Sequence, residues 1–359
     1  MLIDRESVQT IMAGLSAAGR GGLPILEHAL VIEHEGSASV TTTDLELQIT
    51  ATLAEQDGPN GLGGYCVHAG KLREILRSGS PPITITHDNS RAIVRSGAAR
   101  FTVNTLHPDE FPALQTVGGQ QLAIPADTLR LGIASVIDAA ARDDVRHYLN
   151  GVLMELKHRR LTLIATDGHR MHVWRADIDA ELEVNAIIPR RSAEALTRQL
   201  QGTEMVTVEV SRTALSVACG PILITTKLID AKYPDWERVI QDTNRQITVN
   251  RGDLLAAVNR ANILANEQYY GLSMTVQESG HILIESASVN GATSELISIQ
   301  EGAVPHIFAH NGHYLRDAAS LFPHDELSIQ YSDNTDHGPI IMTPPDACYP
   351  MALVMGIRL

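Results

Sequence analysis

TLHPDEFP, residues 105–112, is answered 122 residues later by KLIDAKYP, residues 227–234: in each a leucine is followed five residues on by an aromatic residue and then proline. A second pair keeps the period. TTTDLEL, residues 41–47, matches IATDGHR, residues 164–170, with Asp44 and Asp167 separated by 123, and a further 123 reaches Asn290 in IESASVNGA. A 359-residue chain with this period holds three copies of one unit, far longer than the roughly 20–50 residues of a solenoid repeat. The stretch ATDGHRMHV, residues 165–173, crowds Asp167, His169, Arg170 and His172 together and resembles a reactive constellation. Its recurrence in the other copies marks it instead as a structural turn.

Each copy has the same order of elements. A short strand and a helix come first, with Val8, Ile11, Met12 and Leu15 at helical spacing, then Leu129, Ile133, Val136 and Ile137, then Leu254, Leu255, Val258 and Ile263. Strands of period two follow, then a second helix (KLREILRS, SAEALTRQL, GHYLRDAAS in the three copies) and closing strands. The expected fold is α+β: three repeated domains, 1–117, 118–242 and 243–359, each with two helices on one face of an antiparallel sheet.

Composition narrows the function. No apolar run approaches the roughly 20 residues that cross a bilayer, and the start, MLIDRESVQTIMAGL, lacks a basic lead and a compact apolar core. Neither membrane insertion nor export is expected. Cys66, Cys219 and Cys348 stand far apart without a CxxC pair, as reduced thiols in the cytoplasm would. The fifteen histidines form no HExxH, so no metal site is expected. Asp167 with His147, His169 or His172 and Ser192 can be drawn as a triad. Yet the chain carries no GxSxG, Walker or GxGxxG signature, and neither catalysis nor a cofactor is expected.

The formal charge of −14 is uneven. Taking the helices as residues 1–20, 67–78, 127–147, 187–202, 250–264 and 306–321 gives 14 basic and 10 acidic residues in them, against 14 and 32 elsewhere. Basic helices on an acidic body attract a polyanion to one face, through phosphate contacts indifferent to base sequence.

At this point the residues carry a resemblance over the whole length. LPIL (23–26), TTDLEL (42–47), RSGAARFTVNTLHPDEFP (95–112), DVRHYLNGVLME (144–155), ATDGHR (165–170), IIPRR (187–191), TKLIDAKYPDWERVI (226–240), NRANILANE (259–267) and the final MALVMGIRL resemble the bacterial DNA polymerase III beta subunit family, in order and in register with the repeat. That resemblance implies a head-to-tail homodimer, a ring of six domains with helices lining the hole, sliding on duplex DNA without reading bases.

It further implies a cleft for a roughly five-residue QL(S/D)LF-like peptide from polymerases and repair factors. Its wall would be Thr166, Gly168, His169, Arg170 and Met171. Leu149, Pro234, Arg238, Val239, Leu353 and Met355 would complete it, with Asn311, Tyr314 and Arg358 at the outer end. Toward DNA it implies Arg20, Tyr148, Arg191 and Tyr269, to which the basic helix charge adds Arg146. For the dimer contact it implies Phe101 and Val103 meeting Ile263 and Leu264, with Lys71 and Arg100 opposite Glu295 or Glu285. A clamp loader, which would hold any ATP, is implied as a further partner. The sequence departs from the family at Gly356 (frequently proline), His337 (usually small and apolar), Gly70 and Asp143. An accessory or drug-insensitive clamp paralogue, or a clamp-fold scaffold that does not encircle DNA, stays open at this stage.

Overall fold

Residues 1–19, 22–34, 36–53, 63–115, 117–201, 204–334 and 338–358 are described in a computed structural model; Arg20 and His337 lie outside them. Among the described residues there are six α-helices: α1 (Arg5–Gly14), α2 (Ala69–Ser78), α3 (Ala126–Val136), α4 (Arg190–Gln199), α5 (Arg251–Asn262) and α6 (Gly312–Ser320). The chain packs as two compact units, residues 1–130 with 195–228, and residues 131–194 with 229–359.

Each unit is built on one twelve-stranded sheet, and every strand pairing in it is antiparallel. The sheets run on across the boundaries between copies. In the first unit, strand Leu47–Leu53 pairs with Ile222–Lys227, placing Ile49 opposite Ile224. In the second, Arg170–Asp177 pairs with Met351–Val354, placing Met171 opposite Leu353. The middle copy therefore gives strands to both sheets. Pairing an edge strand with the next copy satisfies N–H and C=O groups that an isolated sheet would leave open.

The repeat's signature residues now have physical roles. Phe111 is buried against Leu30, Cys66 and Ile25, and Tyr233 is buried in a cluster with Trp236 and Leu353. Asp44 Oδ1 accepts from the N–H groups of Glu46 (3.0 Å) and Leu47 (2.7 Å), and Asp167 Oδ1 accepts from those of His169 (2.9 Å) and Arg170 (3.0 Å). Both are Asx turns. In the third copy the turn differs, since Asn290 N–H donates to Ser288 Oγ at 3.3 Å.

Four of the helices start where a side chain satisfies their first N–H groups. Asp4 accepts from Ser7 N (2.7 Å), His68 Nδ1 from Gly70 N (3.1 Å), Asn250 from Asp253 N (3.0 Å), and Asn311 from His313 N (2.9 Å) and Tyr314 N (3.2 Å). All six helices are shorter than the ranges read from the sequence, α1 and α3 most of all. Residues Leu2–Ile3 form a strand, so α1 begins only at Arg5. Instead of running to residue 147, α3 closes in a tight turn, Ile137–Ala139, because Arg190 Nη1 takes the carbonyls of Ile137 (2.6 Å) and Ala140 (2.7 Å). The cation neutralises the negative end of the helix, where Ile137 O also accepts from Ala140 N at 3.1 Å.

Helix stripes and sheet faces meet in several buried clusters. Ile11, Leu15, Leu72, Val31, Val40 and Ile83 fill the main one in the first unit, and Leu254, Val258, Leu315, Met274, Phe308 and Ile329 much of the main one in the second. Each such residue contributes roughly 1.5–3 kcal/mol by burial.

Two histidines are sealed into the second unit. Burial pushes the His172 pKa down to about 4 and that of His310 to about 3. Both are neutral in the fold but take a proton in the unfolded chain below about pH 6.5. Their stabilisation is complete above that pH and drains away as pH falls, by up to about 1.4 kcal/mol per pH unit for each group. Thermal melts should therefore show a midpoint that is flat above pH 7 and declines from 6.5 toward 4. His310→Leu should remove part of that slope; an unchanged slope would show that His310 titrates normally.

Candidate binding cleft

Strand Arg170–Asp177, the turn before it, the loop carrying the 3₁₀ turn Trp236–Val239, and the final strand Met351–Val354 converge in the second unit. Between them lies a cleft of about 150 Å³ with an apolar lining from Leu149, Met171, Pro234, Val239, Leu353 and Met355. Thr166, Gly168 and Arg170 line it as well, whereas His169, expected in the same wall, does not. Tyr233, Trp236, Arg146 and Tyr148 also line it. The first two were not assigned from sequence to the site, although Tyr233 marked the repeat; Arg146 and Tyr148 were assigned to DNA.

The wall is locked by its own turn. Thr166 Oγ1 donates to Arg170 O (2.6 Å) and accepts from Gly168 N (3.1 Å). Gly168 has φ +87°, a conformation that favours glycine, and a Cβ there would meet the Arg146 guanidinium at 3.1 Å. Met355 N–H donates to His169 O at 2.9 Å, tying the C-terminal segment to the turn.

Arg170 is the electrostatic centre. Its Nε reaches Asp167 Oδ2 (3.1 Å), Nη1 reaches Asp317 Oδ2 (2.6 Å), Nη2 donates to Asp138 O (2.6 Å), and the guanidinium lies 4.6 Å from the Tyr314 ring centroid. Burial raises the Asp317 pKa, but the bonds from Arg170 and Arg316 outweigh it and hold the carboxyl below its usual range. At the cleft edge Arg146 grips Asp144 through Nε (3.0 Å) and Nη2 (2.8 Å), which pulls Asp144 down to about 2. The charge of Arg146 is thus met within the chain.

Other residues fall elsewhere. His169 and Tyr314, stacked with ring centroids 6.2 Å apart, line a polar basin of about 570 Å³ that shares Arg170 with the cleft. Asn311 is absent from the cleft lining: it caps α6 and its Nδ2 donates to Tyr269 O (2.8 Å). Arg238 turns outward, 84% exposed and 2.7 Å from Asp235. Arg358 lines a separate hollow with Tyr269 and Glu285.

Of the residues assigned to DNA, Arg191 on α4 and Tyr269 are exposed, while Tyr148 lines the cleft. The six helices hold eleven basic and six acidic residues, in a chain of net charge −14. The uneven charge therefore survives the shortening of α1 and α3.

Strand Ala99–Leu106 pairs along its length with Arg91–Ser96, but on its other side only Thr105 and Leu106 pair, with Val67 and Cys66. Phe101 and Val103, on this largely open edge, are packed against the first core. At the end of α5, Ile263 is 77% exposed and Leu264 half-buried. Lys71 pairs with Glu74 (3.1 Å), and Glu295 takes a bidentate bond from Arg260 of its own chain. Among the described residues no group of His, Cys, Asp or Glu could hold a metal ion, and no helix is long and apolar enough to cross a membrane.

Comparison with known proteins gives one answer along the chain. Residues 6–115, 123–235 and 238–358 match, in turn, the N-terminal, central and C-terminal domains of the DNA polymerase III beta subunit. The beta sliding clamp of Vibrio cholerae is 30% identical, over 95% of this chain and 94% of that protein; the beta sliding clamp of Escherichia coli K12 is 29% identical over 92% and 93%. The crystal structure of the DNA polymerase III subunit beta from Pseudomonas aeruginosa superposes with a TM-score of 0.94 at 27% identity, covering 100% of both chains. A sliding clamp from the same organism bound to griselimycin also gives 0.94, at 27% identity and coverage of 100% and 99%. A chain that matches all three domains in order, with the same fold from end to end, belongs to the DNA polymerase III beta subunit family, the beta sliding clamps.

Proposed function

We propose that this chain is a non-catalytic processivity factor in the cytoplasm: two copies join head to tail, encircle duplex DNA and tether DNA polymerases and repair factors through the cleft. Domains 1–117, 118–242 and 243–359 form the repeating unit of the ring. The open edge bearing Phe101 and Val103 meets Ile263 and Leu264 of the second copy, and a clamp loader opens the closed ring. Arg191, Tyr269 and the basic helix faces hold the DNA backbone, and Arg20 contributes to the same binding.

The observation that carries this reading is the segregation of charge, eleven basic against six acidic residues on the helices of an acidic chain. A scaffold that never met DNA would have no use for it.

For the cleft, the apolar lining and the fixed turn support capture of apolar anchors from a short peptide. A fluorescent Gln-Leu-Ser-Leu-Phe peptide should bind the wild-type chain, and Met355→Asp should weaken it about 30-fold by placing a charge in that lining. Met355 is only half-buried, so the fold should tolerate the change. Unaltered affinity would put the peptide site elsewhere.

A further inference from the structure

Trp236, Met171 and Leu353 share one buried cluster, with Tyr349 and Met355 packed against it. They come from three separate pieces of chain, and the cleft keeps its shape only if these are held together. Behind them stands Arg175, on the strand that carries Met171. Its guanidinium carbon lies 5.2 Å from the Trp236 ring centroid and 4.2 Å from that of Tyr349.

Tyr349 immediately precedes Pro350 and the strand Met351–Val354 that supplies Leu353. One guanidinium therefore backs all three walls. The side chain is 21% exposed, and its Nε is buried with no hydrogen-bond acceptor among the described residues. Among the described residues its ion-pair partner is Glu237 at 3.5 Å, which is 70% exposed and contributes little. What holds Arg175 is chiefly the two aromatic rings, as a planar, weakly hydrated cation favours.

We infer that Arg175 is a positioning residue for the cleft, setting the place of Trp236 and of the segment leading into Leu353 and Met355 by stacking between Trp236 and Tyr349. The inference rests on the cleft being a peptide site. Arg175 itself is not among the residues lining the cleft.

The test uses the full chain, the fluorescent Gln-Leu-Ser-Leu-Phe peptide and the variants Arg175→Ala, Arg175→Lys, Tyr349→Leu and Glu237→Gln. Arg175→Ala and Tyr349→Leu should each weaken binding about tenfold. Arg175→Lys, which keeps the charge but loses the flat stack, should fall nearer alanine than wild type, and Glu237→Gln should stay within twofold. In a Trp174→Phe background, Trp236 is the remaining tryptophan. Its emission should shift in Arg175→Ala and Tyr349→Leu but not in Glu237→Gln, a change that a merely structural contribution to the fold would not produce.

Should Arg175→Ala fail to fold, Tyr349→Leu carries the same comparison. A wild-type chain that does not bind the peptide would sink the cleft reading. Normal wild-type binding with Arg175→Ala and Tyr349→Leu within twofold, or with Glu237→Gln as weak as Arg175→Ala, would overturn the positioning role alone.

Discussion

Arg170→Ala is expected to cost the second unit about 3 kcal/mol of stability and to lower peptide affinity at least tenfold. The side chains of Arg170, Asp167 and Asp317 are only 12%, 16% and 22% exposed, so removing the cation strands two poorly solvated carboxylates. Asp317 keeps Arg316 at 2.8 Å, and Asp167 keeps its two backbone N–H groups, which places the loss at the lower end of what breaking a buried pair costs. Arg170→Lys should recover only part, since one ammonium cannot reach Asp167, Asp317 and the Asp138 carbonyl together.

The pH dependence has a definite sign. Asp317 is held below its usual range, so its contribution is full above about pH 4 and lost as pH falls below it. The gap between wild type and Arg170→Ala should then narrow under strong acid. Urea melts at pH 7 would check the size, and a loss below about 1 kcal/mol would mean that the network is solvated rather than structural.

The repeat made most of this legible before any coordinates. The Leu-x4-aromatic-Pro pair and the aspartate turns lie at fixed offsets because the first two copies anchor the exit strand and close the turn by the same local chemistry. That chemistry is short-range, so sequence carries it. The sharing of the middle copy between two sheets was not legible, because the pairing of Leu47–Leu53 with Ile222–Lys227 joins residues more than 170 positions apart.

Much of the cleft wall could be placed by resemblance, yet Tyr233 and Trp236 were not assigned to it. Their backbone positions lie in a loop whose facing direction depends on long-range packing. The end of α3 was missed for a related reason. Arg190, some fifty residues downstream, takes the carbonyls that would otherwise have continued the helix. Arg146 reads as a DNA contact from charge alone, and only the geometry shows it gripping Asp144.

Neutralising the helix faces should have the largest effect on DNA. Arg77 and Arg198 stand exposed in the last turns of α2 and α4, and Arg191 is exposed in the first turn of α4. Changing all three to glutamine removes six charges from the proposed two-chain ring. If each meets a phosphate, the slope of log affinity against log salt should fall by up to about 5. Peptide affinity and the dimer, of about 78 kDa from a 38.9 kDa chain, should be untouched. An unchanged salt slope would remove these helices from the DNA surface.

The most direct measurement of encirclement is retention on nicked circular duplex DNA after loading, against the same DNA linearised. A closed ring stays on the circle and runs off the free ends, and linearising the loaded circle releases it. Equal retention on both forms, or release from the circle as fast as from the linear duplex, would contradict a topological link and leave an ordinary DNA-binding protein or a scaffold in the clamp fold.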